Sequence, residues 1–333
     1  MNEYNVFVLG ATGLVGQTII KVLEERKFPV KELFPFASER SRDKRITFKG
    51  NEIEVKPVEE ADFRKADITL FATESDISRK FVPEAVKWGG YAIDNSSAYR
   101  RDPDTDIIIP EINSRLIKRE KKLYANPNCS TAQLAVVLNP LHKAFGLKRI
   151  VVSSYQAVSG SGTKGIEQLL EERKGNTAPD PVYPHPIHEN CLPQIGAFDE
   201  SGYCEEENKI VFEMKKMLNL PSLVIAATTV RVPLLYSHSE SVLAEFEKPV
   251  SAAEAVRILN ESKNIVLQND CAGNIYPLAS NSAGKDEVFA GRIRNVDGWD
   301  NALQLWIVAD NLRKGAATNA VQIAESIVEK GLI

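Results

Sequence analysis

An apolar run over residues 4–9 passes directly into Gly10-Ala11-Thr12-Gly13-Leu14-Val15-Gly16, and a helical pattern follows over about 15–26. Near-continuous apolarity is expected of a strand buried on both faces of a parallel sheet. A G-x-x-G-x-x-G turn lets backbone approach a pyrophosphate, while the helix start offers N–H groups and the positive end of its dipole. A purely structural tight turn is the competing reading; the strand before and the helix after favour the nucleotide. Further apolar strands recur at 33–37, 68–72, 91–95 and 107–110, with a helical segment at 77–88. This alternation predicts an α/β, Rossmann-like doubly wound parallel sheet.

Beyond residue 128 the texture changes. Strands predicted at 149–156, 210–213, 227–233 and 241–247 are more amphipathic and β-branched, with helices at 165–173 and 252–260. An α+β second domain built around a mixed or antiparallel sheet is expected. A Pro- and Asn-rich connection spans 176–193, and an amphipathic last helix at about 316–330 is expected to return to the first domain. The 333 residues are long for one core, so the expected division is 1–127 with 311–333, and 128–310.

A net charge of −4 without a dense Lys/Arg block argues against nucleic acid or an acidic membrane as partner. No apolar run approaches spanning length, and the opening strand leaves no place for a signal peptide. Four widely spaced cysteines (129, 191, 204, 271) suit reduced thiols in cytoplasm.

Cys129 lies in Asn126-Pro127-Asn128-Cys129-Ser130-Thr131, just before a helical pattern over 132–143. N–H groups and dipole at a helix start favour the thiolate, the nucleophilic form. The competing reading is a small buried hydrophobe.

Cofactor choice is read after the second strand, at Ser38-Glu39-Arg40-Ser41-Arg42-Asp43-Lys44. Ser38, Arg40 and Ser41 suit a 2′-phosphate, whereas Glu39 suits a ribose hydroxyl; the balance favours NADP. Gly160-Ser161-Gly162-Thr163-Lys164-Gly165 also spells G-x-G-x-x-G, but in the second domain, where it reads as a flexible loop beside the reaction centre. His185-x-x-His188-x-x-Cys191, with Cys204 beyond, has zinc-ligand spacing; prolines 184, 186 and 193 make it an extended loop instead, and no metal is expected.

Four further polar features stand out. Gln156 ends an apolar strand, and Arg231 lies in another, where an unpaired charge is costly and implies a partner such as a substrate carboxylate. Glu213 and Lys216 share a face if their stretch is helical, with a surface ion pair as the competing reading. His238 follows a strand near these groups.

The segments GATGLVG (10–16), DNSSAYR (94–100), NPNCST (126–131), QAVSGSG (156–162), VRVPLLYSHSES (230–241) and ADNLRKGAATNAVQIAE (309–325) together resemble the aspartate-β-semialdehyde dehydrogenase family. The resemblance implies NADPH-dependent reductive dephosphorylation of L-aspartyl 4-phosphate to the semialdehyde, on the way to lysine, threonine and methionine. It implies Cys129 as acyl-accepting nucleophile, His238 as acid/base and Gln156 as orienter of the reacting carbonyl. Arg231 and Glu213 would hold the substrate's carboxylate and amino group, and Arg100, Asn128 and Lys216 its phosphate. The cofactor set becomes Gly10, Thr12, Gly13, Leu14, Val15, Gly16, Ser38, Arg40, Ser41, Thr73, Ser159, Gly160 and Asn311. A homodimer acting on a small molecule is the implied assembly. The loop PVYPHPIHENCLPQIGAF follows the family only loosely, and Glu39 interrupts its Ser/Arg turn, leaving room for dual NADP/NAD use. The rival is N-acetyl-γ-glutamyl-phosphate reductase, whose capped substrate amine has no use for Glu213 and whose nucleophile typically sits in Gly-Cys-Tyr.

Overall fold

The computed structural model describes residues 2–333. The chain divides into two compact units, Met1–Pro127 with Ala316–Ile333, and Asn128–Gly315. Residues 311–315, expected with the first domain, therefore lie in the second unit.

The first unit runs β1 (Tyr4–Leu9), α1 (Leu14–Glu25), β2 (Val30–Ala37), β3 (Arg45–Phe48), β4 (Asn51–Glu54), β5 (Lys56–Pro57), β6 (Ile68–Phe71), α2 (Ser75–Lys87), β7 (Tyr91–Asp94), β8 (Asp106–Ile107), α3 (Pro110–Asn113) and β9 (Leu123–Ala125). Apart from the β3–β4 hairpin, its strands form one sheet in the order β5-β2-β1-β6-β7-β9-β8, parallel at every pairing. Alternation along β1 sends Val6 and Val8 to one face, where they pack with Ile19 and Leu23 of α1 and Val321 and Ala324 of the final helix, Thr318–Glu329. Phe7 and Leu9 go to the other face, against Phe81, Val82 and Ala85 of α2. Covering both faces this way is why β1 is apolar without a break from Val6 to Leu9. The strand expected at 107–110 stops at Ile107; Pro110 opens α3 instead, because its fixed φ and missing N–H suit a first helical turn.

The second unit runs α4 (Cys129–Phe145), β10 (Leu147–Gln156), α5 (Gly162–Arg173), α6 (Glu205–Leu218), β11 (Val224–Arg231), β12 (His238–Phe246), α7 (Ala252–Asn260), β13 (Ile265–Leu267), α8 (Ala279–Ser282), β14 (Val288–Val296) and β15 (Trp299–Ala309). Its six strands form a mixed sheet in the order β11-β10-β12-β15-β14-β13. β10 is parallel to β11 and antiparallel to β12. One face is covered by α4, which packs on β10, β12, β14 and β15. The opposite face leaves Val151 and Val224 exposed and sets the rings of Tyr155 and Trp306 5.6 Å apart.

Two expectations are corrected here. Residues 210–213 are not a strand but the middle of α6. The β-branched and aromatic run Ile210-Val211-Phe212 suggests a strand locally, yet the helix has three glutamates in its first turn, two lysines in its last and a left-handed Asn219 cap, each favourable to it. Residues 160–165 are not a flexible loop. Val158–Ser161 is a 3₁₀ turn leading into α5, pinned where the Val158 N–H donates to the Leu234 carbonyl at 2.8 Å.

Candidate active site

Cys129 is the first residue of α4, and Asn128 is its cap. Asn128 Oδ1 accepts from the N–H groups of Ser130 at 3.0 Å and Thr131 at 3.4 Å. The Asn128 main-chain N–H donates to Glu213 Oε2 at 2.7 Å, and its Nδ2 donates to Glu206 Oε1 at 2.9 Å. Both carboxylates are buried on α6, two turns apart on one face. Glu206 also accepts from Gln156 Nε2 at 3.2 Å. The expected phosphate ligand Asn128 is thus engaged in fixing the nucleophile's turn, and Glu206 is a site residue that sequence reading missed. Its signal was the seven-residue spacing to Glu213, hidden by the strand assigned over 210–213.

Register brings the remaining groups together. Gln156 ends β10, opposite Arg231 at the end of β11 and opposite His238 at the start of β12. Arg231, Gln156 and His238 therefore form one row across three adjacent strands, all buried. The connection from α4 to β10 is the single residue Gly146, so the chain doubles back and α4 runs antiparallel to β10. Because β12 is also antiparallel to β10, α4 and β12 run the same way. Their first residues, Cys129 and His238, lie at the same end.

His238 Nδ1 accepts from the Ala157 N–H at 3.0 Å. A neutral ring then carries its proton on Nε2, a buried atom with no hydrogen-bond partner. Burial, reinforced by the Arg231 charge, pushes the His238 pKa down to about 3. Arg231 Nη1 donates to the Ala157 carbonyl at 2.7 Å, while its buried Nε lacks a partner. Gly160 faces both: a β-carbon there would stand 2.8 Å from Arg231 Nη1 and 3.3 Å from His238 Nε2. Behind the row, Ser237 takes φ +71°, held where Asn311 Oδ1 accepts its N–H at 3.0 Å. Asn311 Nδ2 also donates to Ser159 Oγ at 3.0 Å. Lys216, half-buried on α6, sets its ammonium 5.8 Å from the Phe212 ring centroid.

The first unit carries the glycine turn. Gly10 takes φ +78°, and a β-carbon there would meet the Ala72 carbonyl oxygen at 2.1 Å; one on Gly16 would meet the Gly10 oxygen at 2.2 Å. The residue before α1, Gly13, offers no side-chain cap, so the helix's first N–H groups are left for a ligand. A cavity of about 750 Å³ lies elsewhere; the one beside this turn is ≈ 600 Å³ and is lined by Gly10, Thr12, Gly13, Ser38, Glu39, Arg42 and Thr73 among others. A dinucleotide pyrophosphate fits this cradle. Leu14, Val15, Gly16, Arg40 and Ser41 do not line it. Arg40 is exposed and Ser41 is buried, its Oγ 3.2 Å from Thr12 Oγ1. Arg42 lines it but is bound to Glu39 at 2.6 Å and Glu60 at 2.8 Å. Arg100, buried in this unit, donates to the main-chain carbonyls of Asn126 at 2.9 Å and Asn95 at 2.7 Å.

Among the described residues no group of three or more His, Cys, Asp or Glu is placed to hold a metal ion. None of their helices is long and apolar enough to cross a membrane.

Comparison with known proteins meets this geometry at both units. Residues 5–120 match the semialdehyde dehydrogenase NAD-binding domain, and residues 138–314 match the semialdehyde dehydrogenase dimerisation domain. The chain is 47% identical to an aspartate-semialdehyde dehydrogenase of Aquifex aeolicus, over 99% of each chain. It is 39% identical to that of Bacillus subtilis, again over 99% of each. A solved structure of aspartate semialdehyde dehydrogenase II from Vibrio cholerae, complexed with ASA, superposes with a TM-score of 0.95 at 42% identity and 99% coverage of both chains.

Proposed function

Because the chain belongs to the aspartate-semialdehyde dehydrogenase family, we propose that its two sites carry out that family's reaction, with Cys129 as the nucleophile. The observation that carries this reading is the level placement of Cys129, at the start of α4, with the buried row Arg231–Gln156–His238. In the phosphorylating direction the sequence runs backwards; in the biosynthetic direction it starts from L-aspartyl 4-phosphate.

Cys129 sulfur attacks the acyl phosphate carbon, the carbon–oxygen bond to phosphate breaks, and a thioester forms as inorganic phosphate leaves. The nicotinamide cofactor supplies the hydride that the thioester accepts. The Nε2–H of His238 is the donor for the oxygen that becomes anionic at each tetrahedral stage. The neutral ring holds that oxygen through its Nε2–H without losing the proton. The tetrahedral oxyanion re-forms the carbonyl as the carbon–sulfur bond breaks, releasing the aldehyde and returning Cys129 to thiolate. Arg231, with an unpartnered buried Nε, is a fitting receptor for the substrate's carboxylate. Glu213 and Glu206 place negative charge where the ammonium group is expected. Gln156 aligns the carbonyl, and Arg100 and Lys216 are the remaining cations for phosphate.

NADP is the preferred cofactor on this reading, with Ser38, Thr12, Gly13 and Thr73 at the cavity wall. A homodimer is supported by the dimerisation-domain match and by the open sheet face that carries Tyr155, Trp306, Val151 and Val224. The placement in lysine, threonine and methionine biosynthesis and in the cytoplasm belongs to the same proposal.

The test is an assay with L-aspartate 4-semialdehyde, phosphate and either NADP or NAD, following cofactor reduction beside Cys129→Ala. Phosphate-dependent reduction that disappears in the variant, while cofactor binding persists, is expected. Turnover retained by Cys129→Ala, or activity only with the N-acetylglutamyl aldehyde, overturns the assignment.

A further inference from the structure

A second row of polar side chains lies directly beneath the first. In the register of the sheet, Ser154 of β10 is opposite Thr229 of β11 and Glu240 of β12, two residues below Gln156, Arg231 and His238 respectively. All three are buried, Ser154, Thr229 and Glu240 each at 0% exposure. Thr229 meets Cys204 Sγ at 3.1 Å, and Ser154 accepts from Gln156 Nε2 at 3.1 Å. Glu240 has no such arrangement. Its two oxygens, and both amide atoms of the equally buried Gln133, lack a hydrogen-bond partner. The two side chains are near enough across the α4–β12 contact for the Gln133 amide to act on the Glu240 carboxyl.

That pairing has a fixed geometric relation to the reacting groups. Gln133 is four residues after Cys129 and so lies on the same face of α4, about 6 Å further along the axis. Glu240 is two residues after His238 and lies on the same face of β12, about 6.8 Å further along. The helix and strand run in the same direction. A contact between Gln133 and Glu240 therefore sets Cys129 level with His238. A slip of α4 by even part of a turn has to break that contact.

We propose that Gln133 and Glu240 are positioning residues, an acid–amide bracket that locks the first turns of α4 onto β12 and sets where the Cys129 thiol stands against the His238 ring. This deepens the reading of Cys129 and His238 given above and rests on it. The bracket works as an uncharged pair: burial pushes the Glu240 carboxyl well above the ordinary glutamate range, with the Gln133 amide opposing only in part. An acid proton and an amide carbonyl, or an amide N–H and an acid carbonyl, match without bringing a charge beside His238. That charge matters because a carboxylate there would favour the imidazolium, whose Nδ1 could no longer accept the Ala157 N–H that orients the ring.

The experiment compares Glu240→Gln, Glu240→Leu, Gln133→Leu and the exchanged pair Gln133→Glu with Glu240→Gln, all in the full-length enzyme. Two quantities are read: steady-state kcat and KM, and the rate at which iodoacetamide alkylates Cys129, followed on the peptide that contains it. Alkylation needs no substrate, so it still reports if the assigned reaction is wrong; absent turnover in the wild type would strike that assignment alone. Misplacing a reacting group by about 1 Å costs on the order of 10²-fold. Both leucine variants should lose turnover on that scale with KM little changed, and should alkylate at an altered rate. Glu240→Gln and the exchanged pair, which keep an amide or acid at both positions, should recover most of the loss. Leucine variants at wild-type kcat and alkylation rate overturn the proposal. So does a Glu240→Gln variant as impaired as Glu240→Leu, because the acid itself would then be in use. The exchanged pair retains nearly the same atoms, so a folding failure confined to the leucine variants leaves the decision with it.

Discussion

The main-chain N–H of Asn128 donates to Glu213 Oε2 at 2.7 Å, so the carboxylate expected to meet the substrate's ammonium group also steadies the cap of the nucleophile's helix. The two duties separate by substitution. Glu213→Gln keeps an acceptor for that N–H and removes the charge, so KM for aspartate semialdehyde should rise while the melting temperature stays near wild type. Glu213→Ala leaves the N–H without this acceptor and should in addition destabilise the protein by about 1–3 kcal/mol. Steady-state kinetics and thermal melts of the two variants side by side check this; equal melting temperatures would remove the structural duty.

Gly160 is the point of closest approach to the row. A methyl group there meets Arg231 Nη1 at 2.8 Å, a contact that only a shift of the guanidinium or of the turn relieves. Gly160→Ala should fold, since its φ is not in the left-handed region, but should lower kcat/KM by about 10²-fold. A wild-type kcat/KM would show that the turn yields at no cost.

Acid should weaken the native state through His238. Its pKa is depressed to about 3, so below the unfolded value near 6.5 only the unfolded chain takes up the proton. The contribution is fully present above pH ~6.5, and stability falls as pH drops toward 3, by up to about 4 kcal/mol. Urea unfolding between pH 7 and 4 should show this slope, and His238→Asn should flatten it. Parallel slopes in the two proteins would rule out a buried neutral histidine.

Cofactor discrimination should respond to Glu39. Arg42 faces the cavity already bound to Glu39 and Glu60, so an incoming 2′-phosphate competes with two carboxylates for it. Glu39→Ala removes one competitor and should raise the preference for NADPH over NADH in fluorescence titrations of binding. An unchanged or lowered ratio would place the 2′-phosphate elsewhere.

Much of this was legible in the chain because it is local. The GATGLVG turn needs only its flanking strand and helix to be read, and Cys129 needs only the capped helix behind it. What stayed hidden depends on tertiary register. Gln156 and His238 are neighbours across strands 82 positions apart in sequence, and nothing local marks Gln133 or Glu240 as a pair. Glu206 was lost because Ile210-Val211-Phe212 carries strand-like side chains into a helix whose end charges and cap outweigh them. The glycine-rich run 160–165 read as a flexible loop; instead a 3₁₀ turn, whose Val158 and Ser159 N–H groups donate to the carbonyls of Leu234 and Leu235, leads there into α5.

The row Arg231–Gln156–His238 belongs to the alignment of three strands and to none of them alone. Side chains alternate along each strand, so a slip of one residue at either pairing turns its member of the row to the opposite face. A misaligned molecule can keep its helices, its sheet and its compactness while holding no usable site. Recovered turnover after refolding is therefore a stricter census of correctly assembled molecules than circular dichroism, and the gap between the two counts the chains that closed on the wrong register.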